Sequence, residues 1–338
     1  MLEKFNTREY LAEYDLCVDL FKKFDLSVID VIPVRNVYMA STDKGNKILK
    51  KVEYTIEELK FIDDLLNYIR NKFNRIINFV KNKDGKIYTI WNGDMYCIMD
   101  VVQGRECNFS NPIDVCIAAK GLGELHIASE GFKTNLSNKY NNGKLIDNFK
   151  RRIQEMNFFK SIALAHEKKS EFDEIFLKDA GYYTDQIRDS VSLLEGSYYY
   201  KLCSEEDKIV VCHNDLAHHN ILINNEEAYF IDFDYAIIDL KVHDLCNFMN
   251  KVIKNFCFDI EKASLILENY CTTNSLNKRE LEVLYAMLAF PEDFYSIAKD
   301  YYTRRKDWEE EVFLNRLKKK SSYKEDREEF LREFKKLI

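Results

Sequence analysis

The chain has 338 residues, of which 46% are hydrophobic and 32% charged, and a formal net charge of −7. That length exceeds one ordinary domain and suits two lobes with sizeable cores. The acidic balance argues against a nucleic-acid or anionic-membrane binder, which needs a basic footprint, and no apolar run approaches the roughly 20 residues of a membrane span. The start, Met1-Leu2-Glu3-Lys4-Phe5, lacks the apolar region of a signal peptide, so a cytoplasmic origin is expected. The nine cysteines are scattered without C-x-x-C or other zinc-type spacing and are expected to be reduced, mostly buried thiols.

In chain order, Arg8 to Phe24 reads as a helix. Val28 to Val34 and Val37 to Ser41 read as strands, and Asp43-Lys44-Gly45 turns into a third strand, Asn46 to Val52. Strand alternation puts Lys50 on one face with Ile48 and Val52, and Lys51 on the other with Lys47 and Leu49. A helix follows from about Thr55 to Asn71, with Thr55 as N-cap, Glu58 completing a capping-box pattern, and Leu59, Ile62, Leu66 and Ile69 as its apolar stripe. Tyr96 to Val102 reads as a strand running into a connector, Gln103-Gly104-Arg105. Beyond Asn111 the pattern turns mostly helical: Ile113 to Ser129, with His126 as a packing histidine, then Leu145 to Ser170 and Phe172 to Tyr200. Gly131 to Gly143 is expected to be a loop, and Lys318-Lys319-Lys320 a solvated face in an aromatic and charged tail.

Within the helical part lies Cys212-His213-Asn214-Asp215-Leu216-Ala217-His218-His219-Asn220, then Phe230-Ile231-Asp232-Phe233-Asp234. This is H-x-D-x4-N, a hairpin, and D-F-D. Asp215 can accept a proton from a hydroxyl nucleophile, while Asn220 and Asp232 offer hard oxygen ligands to Mg²⁺ carrying a nucleoside triphosphate. Two short strands, Ile221-Leu222-Ile223 and Ala228 to Ile231, flank a turn at Asn224-Asn225-Glu226-Glu227. Folding them about that midpoint pairs 222 with 230 and sets Asn220 beside Asp232. Asp234 has two readings, support for a second metal or a turn cap. His218 and His219 could touch phosphate or acceptor, and loop packing explains at least one of them.

With that block, Arg35-Asn36-Val37-Tyr38, Thr42-Asp43-Lys44-Gly45, Ile48-Leu49-Lys50, Val101-Val102-Gln103-Gly104-Arg105, Leu122-Gly123-Glu124-Leu125-His126 and Val242-His243-Asp244-Leu245 follow one another in a familiar order. The chain resembles the protein-kinase-like superfamily in its aminoglycoside and choline phosphotransferase branch, and within it the CotS-type spore coat proteins of endospore-forming bacteria. The resemblance implies an α+β, bilobal fold. Residues 1–102 would form a small antiparallel-sheet, nucleotide-binding lobe with leading helices, and residues 103–338 a mostly helical catalytic and acceptor lobe.

The resemblance also implies roles. Lys50 matches the phosphate-contacting lysine, Glu58 or Glu57 the glutamate that pairs with it, and Asp100 and Val102 the connector that meets adenine through its backbone. Asp215 is the expected base, Asn220 and Asp232 the expected metal ligands, and His213 an architectural member of the catalytic block. Asp244 would brace the catalytic loop. The protein-kinase glycine loop is missing. Its place is taken by Pro33-Val34-Arg35-Asn36, so Arg35 or backbone N–H groups would hold phosphate.

Two functions follow. One is an ATP- and Mg²⁺-dependent phosphotransferase acting on a hydroxylated small molecule. The other is a catalytically silent kinase-fold scaffold for coat assembly, with spore coat proteins as partners. In both, the protein would start in the mother-cell cytoplasm and reach the spore coat.

Overall fold

The computed structural model describes Leu16 and residues 18–254 and 256–338. The chain divides into two compact units, one made of the chain up to Glu106 together with His219–Asp234, the other of Cys107–His218 and Tyr235–Ile338. The sequence reading places a single break after residue 102. Here the hairpin of the catalytic block clusters with the first unit although it lies more than a hundred residues further along the chain.

The first unit starts with α1 (Val18–Lys23); the earlier part of the helix expected from Arg8, residues 8–15 and 17, lies outside the described residues. Strands β1 (Val28–Val34), β2 (Val37–Thr42) and β3 (Gly45–Val52) form an antiparallel meander. After α2 (Ile56–Arg70) come β4 (Tyr88–Trp91) and β5 (Asp94–Asp100), giving a sheet ordered β1-β2-β3-β5-β4. Leu20 and Phe21 of α1 pack with Val31, Ala40, Leu49 and Ile98 in a buried core on one sheet face. Residue alternation sends Lys50, neighbour of the buried Leu49, to the opposite face. Helix α2 is held as its sequence suggests. Thr55 accepts the Glu58 N–H at 3.2 Å, the Glu58 carboxylate accepts the Thr55 N–H at 3.2 Å, and all four expected stripe residues are buried.

Short strand β6 (Arg105–Glu106) pairs with the catalytic hairpin of the same unit, which is described below with the site.

The second unit is mostly helical. Helix α3 (Pro112–Ser129) is capped by Asn111, which accepts the Ile113 N–H, and has proline at its first position. Helices α4 (Leu145–Ala165) and α5 (Glu171–Gly196) pack together, followed by the short α6 (Tyr199–Leu202). Strand β7 (Ile209–Cys212) runs directly into His213. In chain order the first unit's hairpin strands come next, β8 (Ile221–Asn224) and β9 (Glu227–Phe230). Strand β10 (Ile237–Leu240) then returns to the second unit and pairs with β7, Cys212 opposite Ile237 and Ile209 opposite Leu240.

Helices α7 (Lys241–Ile253), α8 (Ile260–Cys271), α9 (Lys278–Leu288), α10 (Glu292–Tyr302), α11 (Glu310–Ser322) and α12 (Lys324–Lys335) complete the unit. Stacked rings tie α10 to α5: Phe172 on Tyr301 at 3.7 Å, Tyr183 on Phe294 at 3.9 Å. Among the described residues no helix is long and apolar enough to cross a membrane.

Candidate active site

The expected hairpin forms one residue out of the expected register. Ile221 pairs with Phe230 and Leu222 with Tyr229, because the fold is centred between Asn225 and Glu226 rather than on Glu226, and the turn has two residues rather than four. Both take left-handed backbone, φ 48° and 61°, as a two-residue turn with the strands' own twist requires. Asn220 therefore faces Ile231, whose N–H donates to the Asn220 carbonyl at 3.0 Å. Asp232 is the next residue, swung out of the strand line by its own left-handed φ of 65°.

That swing brings Asp232 and Asp234 to Lys50. The ammonium donates to Asp232 Oδ1 at 2.7 Å and to Asp234 Oδ2 at 2.6 Å, and the Tyr54 hydroxyl donates to Asp234 Oδ1 at 3.0 Å. Burial pulls the Lys50 pKa down, but the two carboxylates more than reverse this and hold it above the ordinary lysine value. Burial raises the Asp234 carboxyl, and Asp232 beside it adds to the rise against the pull of Lys50 and the Tyr54 hydroxyl. With the buried amide of Asn220 on the same hairpin, the donors are all oxygen and hard, which fits Mg²⁺ rather than zinc.

Other candidates of this unit are engaged elsewhere. The pairing expected between Lys50 and Glu58 is replaced: Lys50 goes to the two aspartates, and Glu58 closes its capping box. Arg35 sits in a two-residue turn with φ 55° and ion-pairs with Glu106 at 2.8 Å, both side chains about half exposed. Asp100 ends β5 bound to Lys47 and Asn78, each at 2.7 Å, and Val102 lies half-buried just beyond.

In the second unit, the turn after β7 is clamped from α7. Asp244, fully buried, accepts the backbone N–H of His213 at 2.6 Å and of Asn214 at 2.8 Å, and meets His126 Nε2 at 3.2 Å. Burial raises a carboxyl, yet the His126 and His213 rings and the Asn214 N–H outweigh it and hold Asp244 below the ordinary carboxylate value. His126 also bonds the Tyr270 hydroxyl at 2.8 Å, as a buried packing histidine. The Cys212 sulfur lies near these groups, but it donates to the Leu240 carbonyl, and burial beside Asp244 pushes its pKa far up. It is a packed thiol, and Asp244, His126 and Tyr270 form a hydrogen-bonded brace.

Asn214 takes left-handed backbone, φ 63°, and Asp215 follows it, its N–H reaching His213 Nδ1 at 3.3 Å. The Asp215 carboxylate is ion-paired with Lys251 of α7. Lys251 and Tyr54 went unread in the sequence. For Lys251 a signal existed, since it lies seven residues, two helical turns, after Asp244 and so shares its face. Tyr54 has none, because it lies outside any strand or helix.

A family model described as "Spore coat putative kinase YutH" matches residues 18–334. The chain belongs to this spore coat kinase-like family. Spore coat protein S of Bacillus subtilis is 25% identical over 302 residues, which cover 88% of this chain and 86% of that protein. Among solved structures, an aminoglycoside phosphotransferase from Alicyclobacillus acidocaldarius is similar with a TM-score of 0.84 at 20% identity, over 95% of this chain and 96% of that one. A spectinomycin phosphotransferase, crystallised with ADP and spectinomycin, is similar with a TM-score of 0.66 at 16% identity, over 89% and 92%. The YutH-family chain thus has the bilobal, aminoglycoside phosphotransferase-like fold.

Proposed function

We propose that this YutH-family protein is an ATP- and Mg²⁺-dependent phosphotransferase that modifies a hydroxyl group of a small molecule and acts in association with the spore coat. The cluster of Lys50 with Asp232 and Asp234 carries the reading, because it gathers a lysine able to meet a phosphate oxygen and two carboxylates able to meet a hard cation at one place. Asn220, Asp232 and Asp234 would hold Mg²⁺, which when bound supplies positive charge to the triphosphate. Lys50 would exchange a carboxylate oxygen for a phosphate oxygen as nucleotide enters. Asp215 accepts the acceptor's hydroxyl proton as its oxygen forms a bond to the γ-phosphorus and the β–γ bridging bond breaks, releasing ADP. Lys251 holds the Asp215 carboxylate in place through their ion pair, and Asp244 fixes the turn that presents it.

The scaffold reading has one observation in its favour. Lys50 and Lys251 already bond the acids of their own units, so each of these acids has a cation partner without a nucleotide.

Thermal shift with Mg-ATP and release of phosphate from ATP across a panel of alcohols separate the two. Asp215→Asn should bind Mg-ATP as the wild type does and lose about 10²–10⁴-fold in turnover, the usual scale for a positioned base. Asp232→Asn should lose nucleotide stabilisation. Equal stabilisation of all three proteins with no phosphate released would establish the scaffold instead.

A further inference from the structure

Within the second unit, α4, α7, α10 and α11 surround a cavity of about 620 Å³, in the size range of small-molecule sites. Its wall is basic in an acidic chain: Arg152, Lys251, Lys254, Arg316, Lys319 and Lys320 stand against three carboxylates, Glu292, Asp293 and Asp300. Three of the cations are already matched, Arg152 with Glu292 at 2.7 Å, Lys320 with Asp293 at 2.8 Å, and Lys251 with Asp215. Arg316 lies on the Trp308 ring, 4.0 Å from its centroid. Lys254 is half-buried at the end of α7, and among the described residues no carboxylate reaches its ammonium. Burial pulls its pKa down, and Lys320 and Lys251 nearby add to this against the opposing pull of Asp293 and Glu292. A lysine in that position gains when an anion arrives.

We propose that the cavity is the acceptor site and that it takes a small alcohol bearing an anionic group, which Lys254 binds. The chemistry rests on the phosphotransferase reading; the binding does not. Lys251 and Lys254 are three residues apart on one helix, so their stems stand about 5–6 Å from each other. A ligand whose anion meets Lys254 then has a hydroxyl a few bonds away beside Lys251 and its partner Asp215. Glycerate or glycerol 3-phosphate has that span, whereas a cationic alcohol would meet a surplus of like charge.

Calorimetric titration without ATP tests this on the full chain, using glycerate, glycerol 3-phosphate, glycerol and choline against the wild type, Lys254→Gln and Lys254→Arg. At least one of the two anions should bind, and which one tells carboxylate from phosphate. Glycerol and choline should bind at least tenfold more weakly, Lys254→Gln should cost tenfold or more, and Lys254→Arg should restore most of the affinity. The proposal is overturned if neither anion binds at millimolar concentration, if choline or glycerol binds as well, or if a folded Lys254→Gln keeps wild-type affinity. Anion binding without any phosphoryl transfer would leave this site standing and remove the enzymatic reading, and transfer to choline would do the reverse.

Discussion

Replacing Asp244 should loosen the turn that carries Asp215 before it touches any reacting group. Asp244→Ala leaves the His213 and Asn214 N–H groups, now held at 2.6 and 2.8 Å, without an acceptor in a fully buried site, and strands His126 as well. At about 1–3 kcal/mol for each orphaned donor, the two amides alone cost about 2–6 kcal/mol. That is a large share of the ~5–15 kcal/mol of a whole native state. Asp244→Asn keeps one acceptor oxygen and should lose about half as much, so it serves where the alanine variant fails to fold.

Urea denaturation measures both variants. The pH dependence gives a second reading. Since the folded carboxyl titrates below its ordinary value of 3.8, its contribution is fully present above that value and is lost as pH falls through the lower folded one. The gap between wild type and Asp244→Asn should therefore stay constant at neutral pH and close only in strong acid. An Asp244→Ala protein within about 1 kcal/mol of wild type would refute the bracing argument.

Three further outcomes follow from local geometry. Lys50→Met leaves Asp232 and Asp234 facing each other, and Asp234 already titrates high, so the folded variant should take up protons more readily than the unfolded chain. Its melting-temperature deficit should be larger at pH 8 than at pH 5, and equal deficits would contradict the shared-lysine account. Glu226→Gly should raise stability by about 0.5–1 kcal/mol, the left-handed penalty less glycine's entropic cost, and a drop in the urea midpoint would show that the turn is not limiting. Gly123→Ala would place a Cβ 2.1 Å from Thr273 Oγ1 and 3.1 Å from the Tyr270 carbonyl. Although alanine favours a helix by up to about 1 kcal/mol, overpacking of about 1–3 kcal/mol should win, and an unchanged melting temperature would mean that α3 and α8 can part freely.

Patterns that repeat along the chain were legible: the three-strand meander, the capped α2 with its apolar stripe, Lys50's face, and the helical bulk after Asn111. Features fixed by a partner were not. The tight turn at Asn225 and Glu226 was not legible, because it places Glu226 in left-handed backbone, a position where composition favours glycine or asparagine, and the pairing was centred half a residue off. Strands β4, β7 and β10 are four residues each, too short for an alternation signal, and exist because neighbours complete them. Glu58 could be read as cap or as lysine partner, and Thr55 settled it locally. Lys318-Lys319-Lys320 reads as a solvated run, yet Lys320 is half-buried against Asp293, a contact set by the packing of α10 and α11.

The discontinuity of the first unit has a consequence for synthesis. When the ribosome has delivered the chain through Glu106, the five-stranded sheet can close, but β6 has no strand to pair with and Lys50 has neither of its acids. Those arrive with His219–Asp234, after more than a hundred residues of the other unit have emerged. During that interval Lys50 is solvated and the nascent chain exposes a strand edge without its partner, the kind of edge that pairs with other chains. The site is thus finished late in translation, by the same short hairpin that carries its acids.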